Sequence, residues 1–292
     1  GVPRVWSEGG YRGQGIKIAI VDTGIDPDHP DFAGRIVAGK GFTSESYVDD
    51  NGHGTHVAGI AAGSGAASGG RYMGIAPEAS LYIAKVLLAD GSGMMSDVMA
   101  GIEWAVEQGV HVIGLSLGGP APCDGTDALS ETCDAAVEAG VVVCAAAGNQ
   151  GPGPRTVGSP GCARRVITVG ASTDDDTVAS FSSRGPTGDN RVKPDIVFPG
   201  VNIISCRAKG TGMANVIDDY YTEASGTSMA TPHAVGTAAL LLQARPDLKP
   251  AQVRELMMAT ALSLNLDPNT QGAGRADVYK AFMAIAPAPE PT

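Results

Sequence analysis

Three side chains able to do nucleophilic chemistry stand in three separate glycine-containing segments of this 292-residue chain. Asp22 lies in Ile20-Val21-Asp22-Thr23-Gly24-Ile25-Asp26, His53 in Asn51-Gly52-His53-Gly54-Thr55-His56-Val57-Ala58-Gly59, and Ser228 in Ser225-Gly226-Thr227-Ser228-Met229-Ala230-Thr231-Pro232-His233. An acid, an imidazole and a hydroxyl are the parts of an acyl-transfer unit. The serine attacks, the histidine takes its proton, and the carboxylate fixes the imidazole tautomer and stabilises its charge. A fourth segment, Ala145-Ala146-Ala147-Gly148-Asn149, offers a neutral amide donor suited to an oxyanion, because it does not quench the nucleophile. Taken singly, each has an ordinary explanation as a turn aspartate, a core imidazole or a capping serine. Taken together they would need four unrelated accidents in one order.

Such side chains need rigid elements to hold them. From Gly15 to Gly200 short β-branched runs alternate with small-residue helical stretches, the pattern of a three-layer α/β fold with a mostly parallel central sheet flanked by helices. Ile16 to Val21, Leu81 to Leu87, Val110 to Leu117, Val141 to Ala147 and Arg165 to Val169 read as strands buried on both faces. His53 to Ala62, Ser96 to Gln108 and Asp127 to Ala139 read as helices, with Ser96 expected to cap the second and Gly109 to close it. The last third turns helical over Thr227 to Arg245, Pro250 to Leu262 and Arg275 to Ile285. Asp22 and Asn149 thus end strands while His53 and Ser228 begin helices, the places where open α/β sheets assemble sites. One domain over residues 1–285 is expected, followed by a proline-rich disordered tail or linker at 286–292.

Composition excludes several classes. There are 31 acidic against 20 basic residues, a formal charge of −11, and no Lys/Arg block, which argues against a nucleic-acid partner. No apolar run reaches the roughly 18 residues that span a bilayer, so no membrane partner is expected, and the chain opens without a leader-like segment. The expectation is a soluble, already processed polypeptide. Glycine at 41 residues is about twice its usual ~7 per cent but shows no triplet period, which points to tight turns rather than collagen. His53-x-x-His56 lacks the glutamate of a zinc peptidase motif, Gly34 to Gly41 is a near miss to a phosphate loop and reads as a loop, and Gly13-Gln14-Gly15 precedes its strand where a dinucleotide fingerprint would follow it. Met94, Met257 and Met258 read as ordinary core or cleft surface.

These motifs resemble the subtilisin-like serine proteases, the subtilases, over essentially Val5 to Ile285. The chain order Asp, His, Ser is the one known for subtilisin. The resemblance implies a secreted endopeptidase with Asp22, His53 and Ser228 as triad and Asn149 as oxyanion donor, working without a cofactor for the chemistry. It further implies that an extended polypeptide substrate adds as a strand between Ser116-Leu117-Gly118 and Gly91-Ser92-Gly93. Ser116 to Gly118, Ala147 to Asn149 and Gly158 would surround a deep uncharged pocket for a bulky apolar residue just before the cleaved bond. Met95, Val98, Leu117 and Leu129 would form a second apolar pocket three residues upstream. A monomer is expected, with an N-terminal prosegment as folding aid and temporary inhibitor. The reading from another class is a subtilase-shaped binding or scaffold protein without catalysis, which has no reason to keep all four residues intact.

Departures from the family pattern lie at His233-Ala234-Val235-Gly236, at Phe198 before Pro199, and at Gly63 to Gly74, which replaces a calcium loop and offers no side-chain carboxylate. Calcium is therefore a structural ion at most, with Asp31 and Asp195 matching positions used as ligands in the family. Of five cysteines, Cys133 and Cys144 read as core hydrophobes. The resemblance places Cys123 and Cys162 on neighbouring pocket walls, where a bridge would suit an oxidising setting. The rival pair is Cys123 with Cys133, and Cys206 is the expected unpaired thiol.

Overall fold

Successive residues of a strand point to opposite faces of a sheet, and here both faces find apolar partners. In the strand Lys17–Asp22 (β1), Ile18 and Ile20 enter one core while Ala19 and Val21 enter another on the opposite side. The computed structural model, which describes residues 1–44 and 46–285, repeats this division along the sheet. Its further strands are Ile36–Gly41 (β2), Ser80–Lys85 (β3), Val112–Leu115 (β4), Val142–Ala146 (β5), Ile167–Ser172 (β6) and Ile196–Pro199 (β7). They form one parallel sheet in the order β2-β3-β1-β4-β5-β6-β7. The order departs in both directions from β1, so a crevice opens where β1 ends, at Asp22.

Helices cover both faces. His53–Ala62 (α2) follows β2, and Met95–Glu107 (α3) and Ala128–Glu138 (α4) supply Val98, Ile102, Leu129 and Cys133 to the core shared with Ala19 and Val21. Thr227–Ala244 (α5) and Pro250–Thr260 (α6) lie with α2 in the other core. Asp127 caps α4 by accepting a hydrogen bond from Ser130 N, as its residue type favours. Val2–Gly9 (α1), Pro268–Gln271 (α7) and Val278–Met283 (α8) complete the helices. A small antiparallel sheet of Ile203–Cys206 (β8), Asn215–Val216 (β9) and Tyr221–Ala224 (β10) packs beside α2.

Several expectations need correction. Gly34 to Gly41 is not a loop: Ile36–Gly41 pairs with β3 as an edge strand, and its half-exposed alternation masks the pattern of a buried strand. Ser96 does not cap α3, which begins one residue earlier and has Met94 at its N-cap without a side-chain bond. The helix expected from Arg275 starts at Val278, because Arg275 bridges Leu262 and Val197 in extended conformation. The tail 286–292 lies outside the described residues. Among the described residues no helix is long and apolar enough to cross a membrane.

Pro232 lies inside α5. It has no N–H to give to the carbonyl four residues earlier, that of Ser228. That oxygen instead accepts a hydrogen bond from Ser116 Oγ at 2.8 Å, so the proline ties the nucleophile helix to the end of β4.

Candidate active site

Asp22 and His53 meet because two loops approach at glycines. A Cβ on Gly54 would stand 2.1 Å from the carbonyl oxygen of Gly24, so only glycine lets the start of α2 close on the end of β1. His53 Nδ1 then lies 2.7 Å from Asp22 Oδ1. A carboxylate can only accept, so Nδ1 carries the proton and Nε2 of the neutral ring keeps its lone pair. Asp22 is buried, whereas the His53 side chain is 23% exposed and lines the open cleft. Burial alone would lower the proton affinity of the imidazole. The Asp22 charge and hydrogen bond, with Asp49 adding negative charge, outweigh it and hold the His53 pKa above its ordinary value.

Asp49 is a positioning residue that the motifs did not reveal. Its Oδ1 accepts from Thr23 Oγ1, Asn51 N and Gly52 N, and its Oδ2 from Thr55 N and Thr55 Oγ1. One buried carboxylate thus ties the residue after Asp22 to the first turn of α2. An aspartate four residues before a helical histidine is the signal that could have found it.

Ser228 sits in the first turn of α5, where its backbone N–H has no acceptor among the described residues. Its Oγ donates to Ser116 O at 3.0 Å, and no hydrogen bond joins it to His53 among the described residues. Asn149 follows β5 with its amide orientation fixed, because Oδ1 accepts from both Thr227 N and Thr227 Oγ1 at 2.9 Å. Nδ2 is left as the free donor. A Cβ added at Gly226 would lie 3.6 Å from Asn149 Nδ2 and from Ser228 N alike, so two donors converge on one small space. An arrangement of this kind can hold the oxyanion of a tetrahedral intermediate.

Two hollows lie at the site, one lined by Ser228 and the other by His53. A pocket of about 240 Å³ is lined by Leu117, Gly118, Gly119, Ala147, Gly148, Asn149, Gln150, Thr156, Gly158 and Ser228 among others, none of them charged. Thr156 in this wall was not anticipated. Gly158 acts by close approach: a Cβ there would meet Gly119 O at 2.3 Å, so the two walls touch only across glycine. A longer cleft of about 610 Å³ holds His53, Gly91, Ser92, Gly93 and Ser116, and with them Met95, Val98, Leu117 and Leu129. Asn51 and Met213 also line it and had no sequence signal of their own. The backbones of Gly93, Leu117 and Gly118 make no hydrogen bond among the described residues, which leaves facing edges able to take a strand.

Cys123 and Cys162 are joined, with Cα atoms 5.9 Å apart, and Cys133, Cys144 and Cys206 are buried free thiols. The bridge links the loops behind Gly119 and Gly158. His56 and His233 are not part of the site. His56 Nε2 contacts the carbonyls of Ile203 and Thr222, His233 Nδ1 contacts that of Met229, and burial pushes both pKa values down to about 4.

Calcium takes six to eight oxygen ligands. Asp31 instead accepts from Tyr221 Oη, Cys206 Sγ and Ala67 N, and Asp195 from Thr168 N, Lys193 Nζ and the Arg254 guanidinium. A carboxylate already holding two cations, and one closed by a phenol and a thiol, do not fit that ion.

The parallel α/β sheet thus carries a joined acid–imidazole pair, a hydroxyl and an amide at the ends of its strands and in the first turns of its helices. The Subtilase family model matches residues 13–274, and the chain belongs to that family. It is 46% identical to serine protease AprX of Bacillus subtilis over 90% of its length, and 43% identical to subtilisin DY of Bacillus licheniformis over 87%. The chain spans 65% of AprX, 62% of subtilisin E of Bacillus subtilis and 86% of subtilisin DY. A cold-adapted subtilisin-like serine proteinase of known crystal structure superposes with a TM-score of 0.74 at 33% identity, covering 91% of this chain and 88% of that one.

Proposed function

We propose that the chain is a secreted serine endopeptidase acting through an acyl-enzyme on Ser228. The observation that carries this reading is the 2.7 Å contact between His53 and Asp22 beside a serine whose helix N-terminus and neighbouring amide share one small space. Ser228 Oγ turns from Ser116 O toward His53, bonds to the substrate carbonyl carbon, and gives its proton to His53 Nε2. Asn149 Nδ2 and Ser228 N–H receive the oxyanion. The imidazolium, stabilised by Asp22, then protonates the leaving amine, and water reverses the sequence to free the acid. Every group in the step belongs to the chain, so no cofactor is needed.

The substrate is an extended polypeptide lying between Gly91–Gly93 and Ser116–Gly118. Its residue before the cleaved bond is bulky and apolar, supported by the uncharged lining of the pocket beside Asn149. The residue three further upstream enters beside Met95. Secretion is supported by the Cys123–Cys162 bridge, which suits an oxidising compartment. A monomer, and a prosegment that inhibits before removal, belong to the same reading.

Peptide anilides differing only before the anilide test it. Cleavage after Phe or Leu should exceed cleavage after Lys, and Ser228→Ala should retain less than about a hundredth of the activity, given the ~10⁶-fold scale known for this triad in subtilisin. Equal cleavage after Lys would overturn the specificity, and a fully active Ser228→Ala the mechanism.

A further inference from the structure

Beside the short turn Ala66–Ser68, three side chains able to ligate a metal meet in the interior. His29, Asp31 and Cys206 are all buried, and one donor atom of each lies within 4.8 Å of the other two. Asp195 holds two cations of the chain itself, whereas among the described residues no Lys or Arg pairs with the Asp31 carboxylate. The Arg35 guanidinium bonds instead to the carbonyl oxygens of Asp31 and Ala79. Hydrogen bonds alone meet this carboxylate, and a buried charge without a counter-charge is costly. The imidazole is already set as a ligand. His29 Nε2 lies 2.9 Å from Tyr220 O, which can only accept, so Nε2 carries the proton and Nδ1 keeps its lone pair on the side of Asp31. An outer bond of this kind is what orients metal-bound histidines. The rings of Phe32, Tyr220 and Tyr221 pack around the imidazole and hold it there.

We propose that His29, Asp31 and Cys206 bind one divalent cation of the zinc class. The inference stands apart from the peptidase reading. A thiolate, an imidazole and a carboxylate suit zinc and not the oxygen-seeking calcium, and the two anionic ligands neutralise the ion where it is buried. Asp31 Oδ2 is 3.4 Å from Cys206 Sγ, and Oδ1 is 3.9 Å from His29 Nδ1. Zinc bonds of about 2.0–2.3 Å in a tetrahedron set ligands roughly 3.3–3.7 Å apart, so shifts of roughly 1 Å or less close the set. As the sulfur–metal bond forms, the thiol proton leaves to solvent. The ion takes the Nδ1 lone pair that Asp31 N–H otherwise meets at 3.1 Å. Tyr221 Oη and Ala67 N keep their bonds to the two Asp31 oxygens as an outer shell. Entry is past the turn Ala66–Ser68, and the bound ion joins β8 to the segment after β1.

The test titrates the full chain with cobalt(II) and zinc(II), in a Ser228→Ala background so that self-cleavage does not enter. One equivalent of cobalt should produce a thiolate-to-cobalt charge-transfer band in the near ultraviolet and release about one proton, and zinc should bleach the band. Zinc at about a hundred times its dissociation constant should raise the thermal midpoint by about 5 °C, while calcium at the same concentration should not. Cys206→Ser should abolish the band and the zinc-dependent rise, and His29→Gln should weaken cobalt binding about tenfold or more. Replacing Cys133 and Cys144 together by Ala should leave the band in place. Absence of the band in the parent chain, its survival in Cys206→Ser, or a rise with calcium equal to that with zinc overturns the site. Should Cys206→Ser fail to fold, undiminished cobalt binding in His29→Gln overturns it equally. None of these results touches the peptidase reading.

Discussion

Ser116 and Ser228 exchange two hydrogen bonds, each hydroxyl donating to the carbonyl oxygen of the other at 2.8 and 3.0 Å. One of these bonds exists because Pro232 cannot supply the N–H that α5 would otherwise direct at Ser228 O. Ser116→Ala leaves that oxygen without a donor and should lower stability by about 1–3 kcal/mol. In a Pro232→Ala background, where an N–H is restored, the same substitution should cost clearly less. Urea midpoints of the four proteins measure the difference, and equal costs in both backgrounds would refute the link.

The pH dependence follows from the imidazole. His53 must be neutral to accept the serine proton, so kcat/KM should rise with pH as the ring loses its proton. Because that pKa is raised, the half-point should lie above the ordinary histidine value of ~6.5. Asp22→Asn removes the largest stabilising charge while burial remains, so the half-point should move to lower pH, with turnover reduced about 10⁴-fold. Asp49→Asn should move it the same way by less. A half-point unmoved in Asp22→Asn contradicts the electrostatic account.

Much of this site was legible because its chemistry lies in short runs. The strands bearing Asp22 and Asn149 are apolar on both faces, which sequence displays plainly, and α2 matches its expected bounds of His53 and Ala62. Edge elements were harder: β2 carries Gly39 and Gly41 with a half-exposed face, β8 and β10 are short strands held against α2, and β9 is a two-residue exposed strand paired with β10. Positioning residues were hardest. Asp49 and Thr227 act on backbone N–H groups and on another side chain's orientation, and neither residue type announces such a role.

Thr227 orients Asn149. Asn149→Ala should reduce kcat by about 10²–10³, the scale known for the oxyanion asparagine of subtilisin, with little change in KM. Thr227→Val keeps the backbone bond and loses the hydroxyl bond, so about tenfold is expected. The two losses should not add, because the second acts through the first. Steady-state kinetics of the double variant check this, and full additivity would show that Thr227 acts elsewhere.

Asp195 supports structure through cations of the chain itself. Burial pushes the Lys193 pKa down to about 8, and Asp195 Oδ2 at 2.7 Å is the partner that keeps the ammonium charged. Asp195→Asn should cost about 3–5 kcal/mol, as expected when a buried ion pair loses one member. The loss should be the same in excess chelator and in millimolar calcium. A stability loss present only with calcium would make Asp195 a calcium ligand instead.

Ser228 should behave as a nucleophile made reactive by His53 and Asp22. Treating the protein with a fluorophosphonate and measuring intact mass and digest tests it directly. The account predicts one adduct per chain, located on the peptide containing Ser228, abolished in Ser228→Ala and slowed by orders of magnitude in His53→Ala. An unlabelled wild-type protein, or an adduct on any other residue, would contradict it.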